Sequence, residues 1–185
     1  MNKLTIENGK LKIVFQEAVL SDAATLTQTR QKAWDATYRG IYPDDMIDNF
    51  DFAWYLEKDK QRMSDPDQKL YLLMDGDSCG GYLWVGPPAY GSYKDFALCL
   101  NALYILPAYQ GQGYGRLAFD LVAQECRRRG VDRFFCGCNA HNHKARNFYG
   151  HMGGHLGAAK LGHQNTAMDQ VYFEFILNSE QRRTT

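Results

Sequence analysis

The sequence predicts an α/β domain, and three consecutive stretches carry that prediction. Residues 97–106 form the longest apolar run and read as a central strand. Leu117, Ala118, Leu121, Val122 and Cys126 then recur at helical spacing. Arg127-Arg128-Arg129 lies at the helix end, where cations suit the dipole, and Gly130 supplies the stop. Residues 133–138 return as a strand, closing a βαβ unit whose crossover is right-handed by the general rule.

The remaining elements follow in chain order. Residues 12–19 read as a first strand, and Ser21 and Asp22 offer N-caps for a helical pattern carrying Leu26, Ala33 and Trp34. Arg39-Gly40-Ile41-Tyr42-Pro43 breaks that pattern, and a poorer helix occupies 44–60. Residues 69–74 and 79–86 alternate as two strands joined by the turn Asp75-Gly76-Asp77-Ser78. Pro87-Pro88-Ala89-Tyr90-Gly91 is a loop. A short helix from about residue 142 carries Ala145, Phe148, Tyr149 and Met152 and ends at Gly153-Gly154. Strands near 155–160 and 169–177 complete the core, and the polar tail 178–185 frays. With no internal repeat, 185 residues suit one domain over 1–185, its core at about 12–177.

Composition narrows the function classes. Hydrophobic residues at 45% and charged residues at 23% are ordinary for a soluble globular chain. A formal net charge of +0 argues against a nucleic-acid footprint and an electrostatic membrane anchor. Met1-Asn2-Lys3-Leu4-Thr5 opens no signal-type apolar segment, and no apolar run is long enough to span a bilayer. Five irregularly spaced cysteines read as reduced thiols. The expectation is a cytoplasmic protein with neither nucleic-acid nor membrane partner.

The most informative stretch is Tyr104-Ile105-Leu106-Pro107-Ala108-Tyr109-Gln110-Gly111-Gln112-Gly113-Tyr114-Gly115-Arg116. Glycines at 111, 113 and 115 remove β-carbons, so consecutive N–H groups can converge at a helix N-terminus that favours negative charge. Such a turn suits a phosphate-bearing ligand. Gly113-Tyr114-Gly115-Arg116-Leu117-Ala118 also matches the dinucleotide fingerprint. That reading fails on the four residues separating strand from glycines and on Cys138-Asn139, where a carboxylate is required. No Gly-Lys-Ser/Thr follows, which removes a Walker loop. Close packing alone does not account for three alternating glycines.

Gln110-Gly111-Gln112-Gly113-Tyr114-Gly115 resembles the [Q/R]-x-x-G-x-[G/A] signature of the GCN5-related N-acetyltransferase (GNAT) family. Asn142-His143-Lys144-Ala145-Arg146-Asn147-Phe148-Tyr149 resembles its second signature, N-x-x-A-x-x-[F/L]-Y, and the element order agrees over about 12–177. The resemblance implies a mixed, mostly antiparallel sheet of about seven strands with flanking helices. It also implies a splayed parallel pair, here 98–106 and 133–138, as a wedge for acetyl-CoA. Cofactor-binding residues by this analogy are Leu103, Tyr104, Ile105, Gln110, Gly111, Gln112, Gly113, Tyr114, Gly115, Arg116, Asn142 and Arg146. Gln110 is otherwise a plain surface residue, and Asn142 either caps a helix, binds cofactor, or does both.

The implied reaction moves an acetyl group directly to an amine, with Tyr149 donating a proton to the leaving thiolate. The alternative for Tyr149 is a core tyrosine. Many relatives carry a glutamate on the central strand as base, yet Ala97-Leu98-Cys99-Leu100-Asn101-Ala102 holds no carboxylate. A water held by Asn101, or Asp44 or Asp45, are the candidate bases. Residues 34–43 resemble a segment of the bacterial polyamine-acetylating branch. Trp34, Tyr38, Tyr42, Asp44, Asp45 and Asn101 are accordingly candidate acceptor-binding residues. Asp44, Asp45, Asp48 and Asp51 read equally well as a solvated helix face. The implied partner is a small-molecule amine, and a homodimer is an allowed assembly. An acyl-CoA sensor without turnover is the competing function. His141, His143, His151, His155 and His163 lack metal-ligand spacing, so no metal is expected. Cys136-Gly137-Cys138 reads as small buried hydrophobes.

Overall fold

A computed structural model of the chain describes residues 4–8, 11–91 and 93–177. The strands are β1 (Leu4–Asn8), β2 (Leu11–Glu17), β3 (Lys69–Asp75), β4 (Ser78–Gly86), β5 (Cys99–Ile105), β6 (Arg133–Asn139), β7 (His155–Lys160) and β8 (Gln170–Ile176). Among the described residues they form one eight-stranded sheet in the order β1-β2-β3-β4-β5-β6-β8-β7. Each neighbouring pair is antiparallel except β5–β6. The expected mixed, mostly antiparallel sheet is present, with β1 added at one edge.

Both faces of the central strands are buried, because successive side chains alternate between two apolar layers. Tyr71, Leu73, Leu83 and Val85 face α4 (Tyr114–Arg128) and α5 (His143–His151), meeting Leu117, Leu121, Val122 and Phe148. Leu70, Leu72, Tyr82 and Trp84 face the other way, toward Leu26 of α1 (Ala23–Tyr38) and Met63 of α3 (Phe52–Ser64). Each fully buried side chain of this size contributes about 1.5–3 kcal/mol.

Two irregularities in β5 position the site. The pairing steps from Trp84↔Ala102 to Val85↔Leu100, leaving Asn101 as the extra residue of a bulge. That insertion resets the alternation, so Leu98, Leu100, Leu103 and Ile105 all belong to the α4 layer while Ala102 and Tyr104 belong to the α1 layer. On its other side, β5 pairs with β6 only through Cys99↔Phe135 and Leu100↔Cys136. Beyond Leu100 the two strands part, and β6 continues along β8 as far as Asn139↔Gln170.

The expected helix over 44–60 is two helices, α2 (Asp44–Asp48) and α3. Asp51 accounts for the break, since its Oδ1 accepts from the Trp54 N–H at 2.9 Å and starts a new helix. Asp22 does not cap α1 through its side chain. Its carboxylate accepts instead from the Val19 N–H at 2.9 Å, closing a tight turn at Leu20–Asp22. The expected polar tail lies outside the described residues.

Candidate active site

The parting of β5 and β6 opens a cavity of about 580 Å³. One end is the turn between β5 and α4, lined by Pro107, Tyr109, Gln110, Gly111, Tyr114 and Gly115. The middle passes the edge of β5 at Leu103, Tyr104 and Ile105 and the start of α5 at Asn142, Ala145, Phe148 and Tyr149. The far end meets Ala36, Thr37 and Ile41 near the end of α1. Residues from both layers therefore line it, so the cavity crosses the plane of the sheet.

The three glycines of the turn serve two purposes. Gly111 at φ +74° and Gly113 at φ +87° adopt the left-handed conformation, with open space where a Cβ would stand. Gly113 is the residue that starts α4, and its conformation turns the chain into the helix. Gly115 has a different reason: a Cβ there would lie 2.7 Å from the Phe148 ring. Close packing against α5 therefore explains the third glycine. The first N–H groups of an α-helix have no intrahelical acceptor, and here they border the cavity. The Arg116 N–H is the exception, bonded to the Gly113 carbonyl at 3.0 Å.

Other side chains of the two signatures brace this geometry. Gln110 Nε2 donates to the Ile105 carbonyl at 2.7 Å, folding the turn back onto the strand end. Gln112 Nε2 donates to the Ala108 carbonyl at 2.9 Å. Asn142 Oδ1 accepts from the Ala145 N–H at 3.0 Å and caps α5 while also lining the cavity. Arg146 Nη1 donates to the Ala140 carbonyl at 3.0 Å. Gln112, Gly113, Arg116 and Arg146 are not among the lining residues.

Tyr149 is buried, and its ring packs against Phe119, Phe148, Phe173 and Phe175. Burial raises its pKa well above 10, and the neighbouring Cys136, Cys138, Tyr104 and Cys99 add to the rise. Those neighbours come from both parted strands, which locates the Tyr149 hydroxyl at the split. The hydroxyl is protonated throughout the neutral range. Burial also pushes the Cys99 and Cys138 thiols up to about 12 and Cys136 higher than its ordinary value. These cysteines are protonated thiols, a poor state for nucleophiles.

The acceptor residues expected from sequence gather on the α1 side, but none of Trp34, Tyr38, Tyr42, Asp44, Asp45 and Asn101 lines this cavity. Tyr38 and Tyr104 share a hydroxyl–hydroxyl bond of 2.7 Å, and burial drives Tyr104 up to about 12. Trp34 sits in an aromatic cluster with Tyr38, Tyr42, Phe50 and Tyr55. Asp44 is 3.2 Å from Arg39 Nη1, and the same guanidinium pairs with Asp35 and Asp48. Asp45 Oδ1 accepts from the Met46 N–H, outside the cavity. Asn101 holds the loop over β5 through both ends of its amide. It accepts from the Ala89 N–H at 3.0 Å and donates to the Pro87 carbonyl at 3.1 Å. Asn101 borders a second, smaller cavity rather than the first. No carboxylate lines either cavity among the described residues.

Sequence reasoning did not single out His141, His143 and Lys144 as site residues, yet all three line the first cavity. Their position immediately around the second signature was the available signal. Among the described residues no group of His, Cys, Asp and Glu is arranged to hold a metal, and no helix is long and apolar enough to cross a membrane.

Comparisons with known proteins agree with this geometry. The sequence pattern of the Acetyltransferase (GNAT) family matches residues 27–153. PaiA N-acetyltransferase from Thermoplasma acidophilum, solved with coenzyme A, superposes at TM-score 0.69 with 17% identity, covering 89% of this chain and 98% of that one. An acetyltransferase from Thermus thermophilus gives 0.68 with 21% identity, covering 94% and 100%. YncA from Salmonella typhimurium, solved with acetyl-CoA, gives 0.61 with 20% identity, covering 90% and 95%. In sequence, the alpha-tubulin N-acetyltransferase of Tetrahymena thermophila is 34% identical over 65 residues, 31% of this chain and only 16% of that protein.

Proposed function

This chain belongs to the acetyltransferase (GNAT) family, and from that premise we propose that it transfers the acetyl group of acetyl-CoA to the primary amine of a small molecule. The observation that carries the proposal is the cavity between β5 and β6, which joins a glycine turn at a helix N-terminus to the Tyr149 hydroxyl. The N–H groups of 111–115 hold the pyrophosphate, with His141, His143 and Lys144 adding positive or polar groups nearby. The edge of β5 that β6 leaves free, at Leu103 and the Ile105 N–H, takes the pantetheine arm as an added strand, the Ile105 carbonyl being held by Gln110. Acetyl-CoA supplies a thioester whose sulfur leaves as thiolate.

The chain's own residues act on protons and position. As the amine nitrogen bonds to the acetyl carbon and the carbon–sulfur bond breaks, Tyr149, kept protonated by burial, donates its hydroxyl proton toward the departing sulfur. The proton shed by the nitrogen passes to solvent, from which Tyr149 is reprotonated. A primary amine is neutral in about one part in a thousand at pH 7. With no lining carboxylate to act as base, the rate comes from admitting the neutral amine and orienting it. Polyamines are the finer acceptor class suggested by residues 34–43, although Arg39 already engages Asp44 and Asp48.

The test is release of free thiol from acetyl-CoA with a panel of amines. Amine-dependent release is expected, and Tyr149→Phe should lower kcat about 100-fold while coenzyme A affinity holds. Activity should rise with pH as the acceptor deprotonates and stay high past pH 10, because the raised Tyr149 pKa keeps the donor protonated there. A fall in activity centred below pH 10 that Tyr149→Phe removes would contradict the assignment. The missing carboxylate favours one second reading, an acyl-CoA sensor. Tight coenzyme A binding with no release for any amine would establish it.

A further inference from the structure

The second cavity, about 110 Å³, lies on the α1 side of the sheet at the crotch of the same split. It is bordered by Cys99, Leu100 and Asn101 on β5 and by Phe135 and Gly137 on β6, flanking the last paired residues. Cys99, which lines this cavity, is also one of the β5 and β6 groups that act on the Tyr149 hydroxyl, so the small cavity approaches that hydroxyl from the face opposite α4. A volume equal to about four waters suits the head of a small acceptor.

Its charge and polar groups say which acceptor. Lys160, at the end of β7, is the charged side chain among its lining residues. Its ammonium stands 5.5 Å above the Tyr172 ring and has no carboxylate partner among the described residues. Gln170 and Tyr172, on the adjacent strand, add an amide and a hydroxyl to the same wall. Of the carboxylates flanking this wall, Glu174 is already held by Lys94 and by the Tyr93 hydroxyl, and Asp169, next to Gln170, by His163. Asn101 has both amide ends on loop backbone. The wall thus presents a cation with no carboxylate partner beside an amide and a hydroxyl that can each donate, and it holds no carboxylate to balance a second positive charge.

We infer that the acceptor is a short amine carrying a carboxylate, held by Lys160, Gln170 and Tyr172 with its amine directed at the split. The inference rests on the acetyl-transfer reading above and narrows its substrate class. Lys160 is exposed at the cavity rim, and a charge-assisted bond to its ammonium is roughly twice as strong as a neutral one, which separates an acid from its amide at equal size.

The experiment compares thiol release for glycine, β-alanine and 4-aminobutyrate with release for their carboxamides and for spermidine. Coenzyme A affinity is measured calorimetrically in parallel. At least one acid is expected to exceed its amide in kcat/KM by about tenfold or more. Lys160→Met should bring that ratio close to one through KM, and Lys160→Arg should restore it. Release confined to amides or spermidine, release for no compound, or an acid preference that survives Lys160→Met overturns the inference. Loss of the acetyl-transfer reading has a different signature, which is absence of thiol release with every amine of the wider panel, whether or not coenzyme A binds.

Discussion

The two faces of the sheet use their polar groups in opposite ways. On the α4 side, the turn at 107–115 directs backbone N–H groups and a few side chains into open space. On the α1 side, polar side chains are mostly joined to one another. Arg30 Nη2 and Nε reach both oxygens of Asp59 at 2.6 and 3.2 Å, and its Nη1 donates to the Tyr82 hydroxyl at 2.8 Å. Thr27 and Arg62 complete the set around Asp59 at 3.0 and 2.8 Å. Burial opposes the Arg30 charge, but Tyr82 and Asp59 outweigh it and its pKa rises. The contrast teaches that one face is arranged to receive a ligand while much of the other is self-satisfied scaffold. Lys160 and the small cavity beside it are the exception on the second face.

The largest effect is expected where the scaffold is deepest. Asp59→Ala leaves the Arg30 guanidinium buried beside a missing partner and should cost about 3–5 kcal/mol in urea unfolding. Coenzyme A affinity of the folded fraction should not follow that loss. A cost under about 1 kcal/mol would break the contrast, because this network would then not be scaffold.

On the receiving face, Gly113→Val forces a β-branched residue into φ +87° and should weaken coenzyme A binding about 100-fold or more. Gly115→Ala should act by another route, since its methyl meets Phe148 and lowers thermal stability. Trimming that ring in the double variant Gly115→Ala with Phe148→Leu should recover part of the loss. Calorimetric titration and thermal melts separate the two routes. Equal coenzyme A affinity in Gly113→Val and the parent protein would sharpen nothing and remove the phosphate cradle.

The receiving face was legible because its parts are local in sequence. Pro107, the glycines and the apolar positions of α4 follow one another, and each states its own backbone requirement. The βαβ unit and the hairpin β3–β4 were readable for the same reason. Gly115 was harder, because its constraint is a contact with Phe148 on another helix, some thirty residues on. The Asn101 bulge also depends on pairing with β4, and the chain alone does not display which residue is extra. Asp51 was a visible cap signal between Phe50 and Phe52, and reading past it merged α2 with α3. On the α1 face the partners are distant in sequence, 29 positions for Arg30 and Asp59 and 66 for Tyr38 and Tyr104. Composition supplied those side chains without saying which would satisfy which.

The smallest expected effect tests whether the acids of α2 recognise a cationic acceptor. In sequence, Asp44, Asp45 and Asp48 beside Tyr38 and Tyr42 resemble a seat for a polyamine. In the fold, Arg39 stands among Asp35, Asp44 and Asp48, so each of these carboxylates is already engaged by one guanidinium before any ligand arrives. All of these groups are exposed, where ion pairs are screened and weak. Asp44→Asn should therefore leave the melting temperature as it is and change the KM for spermidine by about twofold at most. A tenfold rise in that KM, with β-alanine unaffected, would show that the α1 face does receive cations and would transfer acceptor recognition from Lys160 to the acids of α2.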